Sequence, residues 1–280
     1  MTGPNIEALA ERVHTSRTDR GWKAAVGRAL LAERLLLATY AWAILRSGVR
    51  EPLDLLLRGS GAQRLLSVFS DLDYEVSSPA HPHGHADVEA WMAERLAALG
   101  IDAEGSTGRP LEADLVDSTG QTRDLHELTE LRRAGSPRRD LGWVGDAFAD
   151  LPMNWWNRVS TYEAHGRHRH AKFAFFEIRA LICRLSWRHD VPDGTTTGQL
   201  AGLVRVLPTE AANLRTLAVD ALSCYETDPH ASTSGVEDLQ QRMAELRRRQ
   251  QLAGPDESVV PAYDLRRRAP TARVQRKGTT

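Results

Sequence analysis

Apolar residues recur along the first 47 positions with the spacing of α-helices. Ile6, Leu9, Ala10 and Val13 fall at i, i+3, i+4 and i+7, the stripe of a helix packed on one side. A longer helix is expected over 22–45, and it turns apolar on most faces toward its end, as a buried helix does. The period then shortens. LDLLLR (53–58) is a brief apolar run stopped by Gly59-Ser60-Gly61, which predicts a buried strand entering a tight turn, with a helix opening near Gly61. In SDLDYEVSS (70–78), Leu72, Tyr74 and Val76 alternate with Asp71, Asp73 and Glu75, the period-two pattern of a strand. A His/Pro/Gly loop (81–85) leads to an amphipathic helix over 87–99, stopped by Gly100, and LEADLVD (111–117) reads as a third strand.

Beyond Gly135 the chain is loop-like to about 152, and strand signals then vanish. Helices are expected over 153–188, 197–206, 210–225 and 236–251. Ile178, Leu181, Ile182 and Leu185 supply the core stripe of the first, and Leu214, Leu217, Ala218, Ala221 and Leu222 that of the third. The last follows a narrow stripe through Val236, Leu239, Met243 and Leu246, with Gly254-Pro255 as its stop. Strands therefore cluster in one half and helices in the other. The expected class is α+β: N-terminal helices (1–50), a small mixed sheet with its helices (51–135), an all-helical unit (150–253) and a basic, mobile tail (254–280).

Composition narrows the function classes. The 280 residues are 41% hydrophobic and 26% charged, values of a globular chain and not of a disordered one. Lys+Arg total 36 against 37 Asp+Glu, so a net charge of −1 advertises neither nucleic acid nor an acidic membrane as partner. Only Lys23, Lys172 and Lys277 are lysines; 33 arginines fit a GC-rich coding bias better than a chemical need. Two cysteines cannot form a disulfide framework. The N-terminus has no h-region, and the most apolar run, LLLATYAWAIL (35–45), is too short to span a bilayer. A soluble, cytoplasmic chain without membrane contact is expected.

Chemistry concentrates in 58–76 and 111–117. Asp71 and Asp73 stand two apart on a strand, so both carboxylates leave the same face. A third carboxylate from a neighbouring strand, most simply Asp114, completes an oxygen site suited to Mg²⁺, which takes carboxylates together with substrate phosphates. Glu112 and Asp117 compete with Asp114 for that place, Glu112 sharing its face on a regular strand and Asp117 lying opposite. The turn at Gly59-Ser60 suits a phosphate chain held by backbone N–H groups and the serine hydroxyl, with Arg64 close behind in sequence as a further phosphate contact. Asp-x-Asp alone arises about once by chance in such a chain; a Gly-Ser turn a fixed distance upstream makes the combination selective. Three carboxylates with a phosphate turn are the parts that in-line nucleotidyl transfer needs.

Gly59-Ser60, ten residues, Asp71-Leu72-Asp73 and later Ala113-Asp114-Leu115-Val116 resemble the DNA polymerase β-type nucleotidyltransferase superfamily, over about 53–117. The chain looks most like the minimal and antibiotic-modifying members, in which a small catalytic sheet precedes a helical domain. The resemblance implies an NTP donor, Mg²⁺ on Asp71, Asp73 and Asp114, and triphosphate contacts from Gly59 and Ser60. It departs from the family at Gly61-Ala62-Gln63-Arg64, where an aromatic or Arg-Gly pairing is often found.

Weaker features surround this core. His81, His83 and His85 have the ligand types of a transition-metal site but lie in a loop where simple exposure is the better reading. His165, Arg167, His168, Arg169 and His170 form a cationic cluster, more often a solvated helix face than a phosphate wall. Glu163 beside it, like Glu112, is a candidate base for an acceptor hydroxyl, although Glu163 can equally pair with Arg167 one turn on. Trp155, Trp156, Phe173, Phe175 and Phe176 are expected in the core before any stacking role. The leading expectation is an enzyme that transfers a nucleoside monophosphate from an NTP to a hydroxyl of a small, antibiotic-like molecule. The alternatives are a toxin-type enzyme acting on tRNA or protein, and a catalytically idle nucleotide-binding module.

Overall fold

A computed structural model describes residues 5–77, 86–108, 132–135, 170–189, 191 and 195–250. Helix α1 (Ile6–Ser16) starts on Asn5, whose side chain accepts the Ala8 amide at 3.0 Å. Helix α2 (Trp22–Ser47) ends on Gly48 in the left-handed conformation, at φ 70°. Strand β1 (Asp54–Leu57) runs into α3 (Gly59–Ala62), a single turn that begins two residues earlier than the pattern suggests. Strand β2 (Leu72–Ser77), helix α4 (Ala86–Ala98), strand β3 (Ala103–Gly108) and the two-residue strand β4 (Arg132–Arg133) complete this half. The other half holds α5 (Ala171–Arg188), α6 (Thr196–Val206), α7 (Pro208–Thr227) and α8 (Ser234–Arg249). Thr195 and Thr233 cap α6 and α8, and Pro208 opens α7, where its missing N–H costs nothing. The architecture is α+β, mostly helical, with one small mixed sheet.

The strand order is β3-β2-β1-β4. β1 is antiparallel to β2 and to β4, whereas β2 and β3 are parallel, the pairing that needs a crossover such as α4. The strand that follows α4 is Ala103–Gly108, which the sequence pattern does not predict, and the strand expected over 111–117 lies outside the described residues. The alternation of β3 is built on Ala103 and Gly105, which are too small to register as an apolar face. One correction concerns β2: Glu75, read on the polar face, is buried, and so is Ser77 beyond it, so both faces are covered toward the strand's end.

Two cores result. Leu55, Leu57, Leu72, Tyr74 and Val76 of the sheet pack with α1, α2 and α4, and α5–α8 close around Phe175, Ile178, Leu214 and Leu222. Ala25 from α2 and Leu65 belong to the second core, so the N-terminal half contributes to the helical one. Beside them a polar tie joins the halves. Glu226 accepts the Gly21 amide at 2.6 Å and pairs with Arg28 at 3.4 Å, and Arg28 also donates to the carbonyls of Ser16, Asp19 and Leu66. Arg28 and Glu226 are both almost fully buried, and the hydrogen bonds counter part of the desolvation of the pair. Among the described residues no helix is long and apolar enough to cross a membrane.

The β2–β3 contact has no spare volume at Gly105, which pairs with Tyr74. A Cβ there would collide with the Tyr74 hydroxyl and a Glu89 carboxylate oxygen. Burial, and then the nearby Glu89 charge, push the Tyr74 hydroxyl's pKa up, so it stays protonated. Gly105→Ala is expected to cost about 1–3 kcal/mol by overpacking, read as a lower urea midpoint at unchanged slope. Gly27→Ala is the control: nothing lies within 4 Å of its added Cβ in α2, and it should gain up to about 1 kcal/mol of helix propensity. Equal effects at the two positions would contradict the packing at the β2–β3 pair.

Candidate metal and phosphate site

The site forms where β1 hands over to α3 beside the start of β2. The apolar run ends at Leu57, and Arg58 is still extended, its amide bonded to the Asp73 carbonyl at 3.0 Å. Gly59 then turns the chain with φ 50°, a conformation that penalises any side chain. A Cβ on Gly59 would lie 3.3 Å from Asp73 Oδ2. Glycine is thus required for backbone geometry and also lets the turn approach the carboxylate. Gly59→Ala is expected to lower stability by about 1–2 kcal/mol and to weaken Mg²⁺ binding by displacing the Asp73 carboxylate. Calorimetric titration beside a melting curve checks both, and unchanged Mg²⁺ affinity would count against the contact.

On β2, Leu72 and Tyr74 point into the core, so Asp71 and Asp73 stand together on the opposite side. Parallel register places Glu104 of β3 directly beside Asp73. One carboxylate oxygen from each of Asp71, Asp73 and Glu104 lies within 4.8 Å of the others. Asp71 and Glu104 are exposed and Asp73 is half-buried, so water and ions reach the group. The donor set is all carboxylate oxygen, which suits a hard divalent cation such as Mg²⁺ and not a thiolate- or imidazole-seeking metal. Glu104 escaped the sequence reading. Its signal was the alternation of Asp102 and Glu104 just after Gly100, two positions on from a helix stop.

The turn is held from behind. Glu33 of α2 receives Arg132 Nη1 and Nη2 at 2.9 and 2.8 Å, Arg64 Nε at 3.1 Å and the Gly135 amide at 2.8 Å. Arg132, wholly buried, also donates its Nε to the Ala62 carbonyl at 2.9 Å, which ties α3 to β4 and α2. Burial by itself pushes Glu33 up. The hydrogen bonds from Arg132 and Arg64 outweigh it and hold the carboxyl at about 2, against an ordinary 4.5. Arg64, the expected phosphate contact, pairs with this buried carboxylate, and its backbone sits at φ 50°. On the other side of the turn, Ser60 Oγ accepts from Arg179 of α5 at 2.9 Å, and Gln63 bonds the Thr196 amide and hydroxyl, both at 3.1 Å.

The structure therefore brings together Gly59, Ser60, Asp71 and Asp73, and adds Glu104. Asp114, Glu112, Asp117, Glu163, the histidines at 81, 83 and 85, and the 165–169 part of the cationic cluster lie outside the described residues. His170 stacks edge-on against His230, with centroids 5.8 Å apart. Phe175 is buried in the helical core against Tyr225, its centroid 5.3 Å away, and Phe173 is buried as well. No protein-family model matches the chain, and no curated protein was found to be similar to it.

Proposed function

We propose that this chain is a Mg²⁺-dependent nucleotidyltransferase that moves a nucleoside monophosphate from an NTP to a hydroxyl of a small acceptor, with release of pyrophosphate. The supporting observation is the approach of Gly59 to the Asp73 carboxylate, which sets a phosphate-type turn against Asp71, Asp73 and Glu104 at one end of the sheet. The Gly-Ser and Asp-x-Asp spacing, similar to that of DNA polymerase β-type nucleotidyltransferases, favours the same chemistry.

Asp71 and Asp73 are the residues that would hold Mg²⁺, with Glu104 or Asp114 as the third carboxylate. When bound, the ion neutralises phosphate charge and lowers the pKa of the attacking hydroxyl. Gly59 allows backbone to approach a phosphate oxygen without a side chain between them. Ser60 offers its hydroxyl to the same phosphate chain. Glu112 and Glu163 are the candidate bases for the acceptor proton. The acceptor would lie between the sheet and the helical half, whose α5 and α6 already touch the turn at Ser60 and Gln63. A net charge of −1 supplies no broad footprint for RNA, which favours a small acceptor.

The test offers purified chain, Mg²⁺ and each NTP labelled at the α-phosphate to aminoglycosides, lincosamides, tRNA and cell protein. Label on a small hydroxylated molecule is the expected result. Label on tRNA or protein would move the acceptor to the macromolecular class, and Mg²⁺-dependent NTP binding without transfer to any acceptor would indicate an idle module.

A further inference from the structure

One buried cation from the helical half reaches the Gly-Ser turn. Arg179 sits in the middle of α5 with 2% of its surface exposed, and its Nη1 donates to Ser60 Oγ at 2.9 Å. Its guanidinium carbon lies 5.0 Å from the Phe175 ring centroid and 4.9 Å from that of Phe176, within cation–π range. Those two rings belong to the helix that carries the arginine, so the guanidinium is held by its own element and presented to the turn. A guanidinium has donors and no acceptor, so Ser60 Oγ can only accept in this contact. The serine's single O–H hydrogen is thereby excluded from the bond and left to donate elsewhere.

We propose that Arg179 is a positioning residue for a bound polyphosphate: it holds the Ser60 hydroxyl in the orientation that donates to an anion. The ligand class is a chain of phosphates, as in an NTP, because a hydroxyl fixed as a donor beside the glycine backbone of the turn suits a densely charged anion whose oxygens only accept. Ligand binding at the sheet's turn then depends on a residue of the helical half. The inference rests on the nucleotidyltransferase reading of that turn.

The experiment is a double-mutant cycle on affinity. Wild type, Arg179→Met, Arg179→Lys, Ser60→Ala and the two double variants are titrated calorimetrically with Mg²⁺-tripolyphosphate and with a non-hydrolysable α,β-methylene NTP. Arg179→Met keeps an apolar stem against the two rings and is expected to weaken both ligands about tenfold, the size of one charge-assisted hydrogen bond. In the Ser60→Ala background the same change should add less than about threefold, because the effect passes through the hydroxyl. Arg179→Lys should recover most of the affinity. If Arg179→Met does not melt cooperatively, the cycle is run with Arg179→Lys and Ser60→Ala, where the small lysine effect should vanish once Ser60 is gone. Wild-type binding with unchanged affinity in Arg179→Met, or with fully additive losses, overturns the role of Arg179 and leaves the function standing. Absence of wild-type binding to either ligand overturns both.

Discussion

An Asp73→Asn chain is expected to lose nucleotidyl transfer by about 10²–10³-fold, the usual loss when one preorganised electrostatic group is removed from a reacting centre. Asparagine keeps the volume and one oxygen but removes the charge that a divalent ion requires. The fold should be untouched. The Asp73 backbone carbonyl, which accepts the Arg58 amide at 3.0 Å and helps to fix the turn, is unaltered by the change. Single-turnover transfer and a urea melt on the same preparation check both halves of the prediction. Wild-type activity in Asp73→Asn would remove Asp73 from the chemistry.

Glu33→Gln is expected to produce the largest loss of stability. The substitution leaves Arg132, wholly buried, and Arg64 without the carboxylate that receives both. Removing one partner of a buried ion pair costs about 3–5 kcal/mol, since the charge left behind stays desolvated and loses that attraction. The pH dependence has a definite sign. Glu33 ionises at about 2 in the folded chain and at 4.5 when unperturbed, so its contribution is fully present above pH 4.5 and is lost as pH falls toward 2. The shift corresponds to about 3 kcal/mol. Urea midpoints at pH 7 and pH 3 should therefore differ more for wild type than for Glu33→Gln. Transfer should fall as well, because Arg132 holds the Ala62 carbonyl of the turn that carries Ser60. Parallel pH profiles for the two chains would contradict the network.

Local patterns made much of the fold legible. The alternation of Leu72, Tyr74 and Val76, the apolar run at 53–58 and the helical stripes of α5, α7 and α8 each reflect burial of one face, which periodicity encodes directly. Strand β3 escaped because Ala103 and Gly105 are small, Gly105 being required by the close approach of Tyr74 and Glu89. Strand β4, only Arg132 and Arg133, is too short to have a period. In the site, Gly59, Ser60, Asp71 and Asp73 are legible because their spacing is local. Glu104 joins them through parallel register, which nothing within its own segment encodes. Glu33 and Arg132 stand 99 positions apart, so each looks like a surface charge until the chain is folded. Arg64 is near Ser60 in sequence, but its pairing with the buried carboxylate on α2 joins positions 31 apart and is invisible until the chain is folded.

The central claim is that the bond broken lies between the α- and β-phosphates. An NTP labelled differently at its α- and γ-phosphates, turned over by wild-type chain with Mg²⁺ and a productive acceptor, measures this directly. The α label is expected on the acceptor and the γ label in pyrophosphate, with both transfers lost on chelation of Mg²⁺ and in Asp73→Asn. Recovery of the γ label as inorganic phosphate or on the acceptor, with the α label left in a nucleoside diphosphate, would contradict the claim.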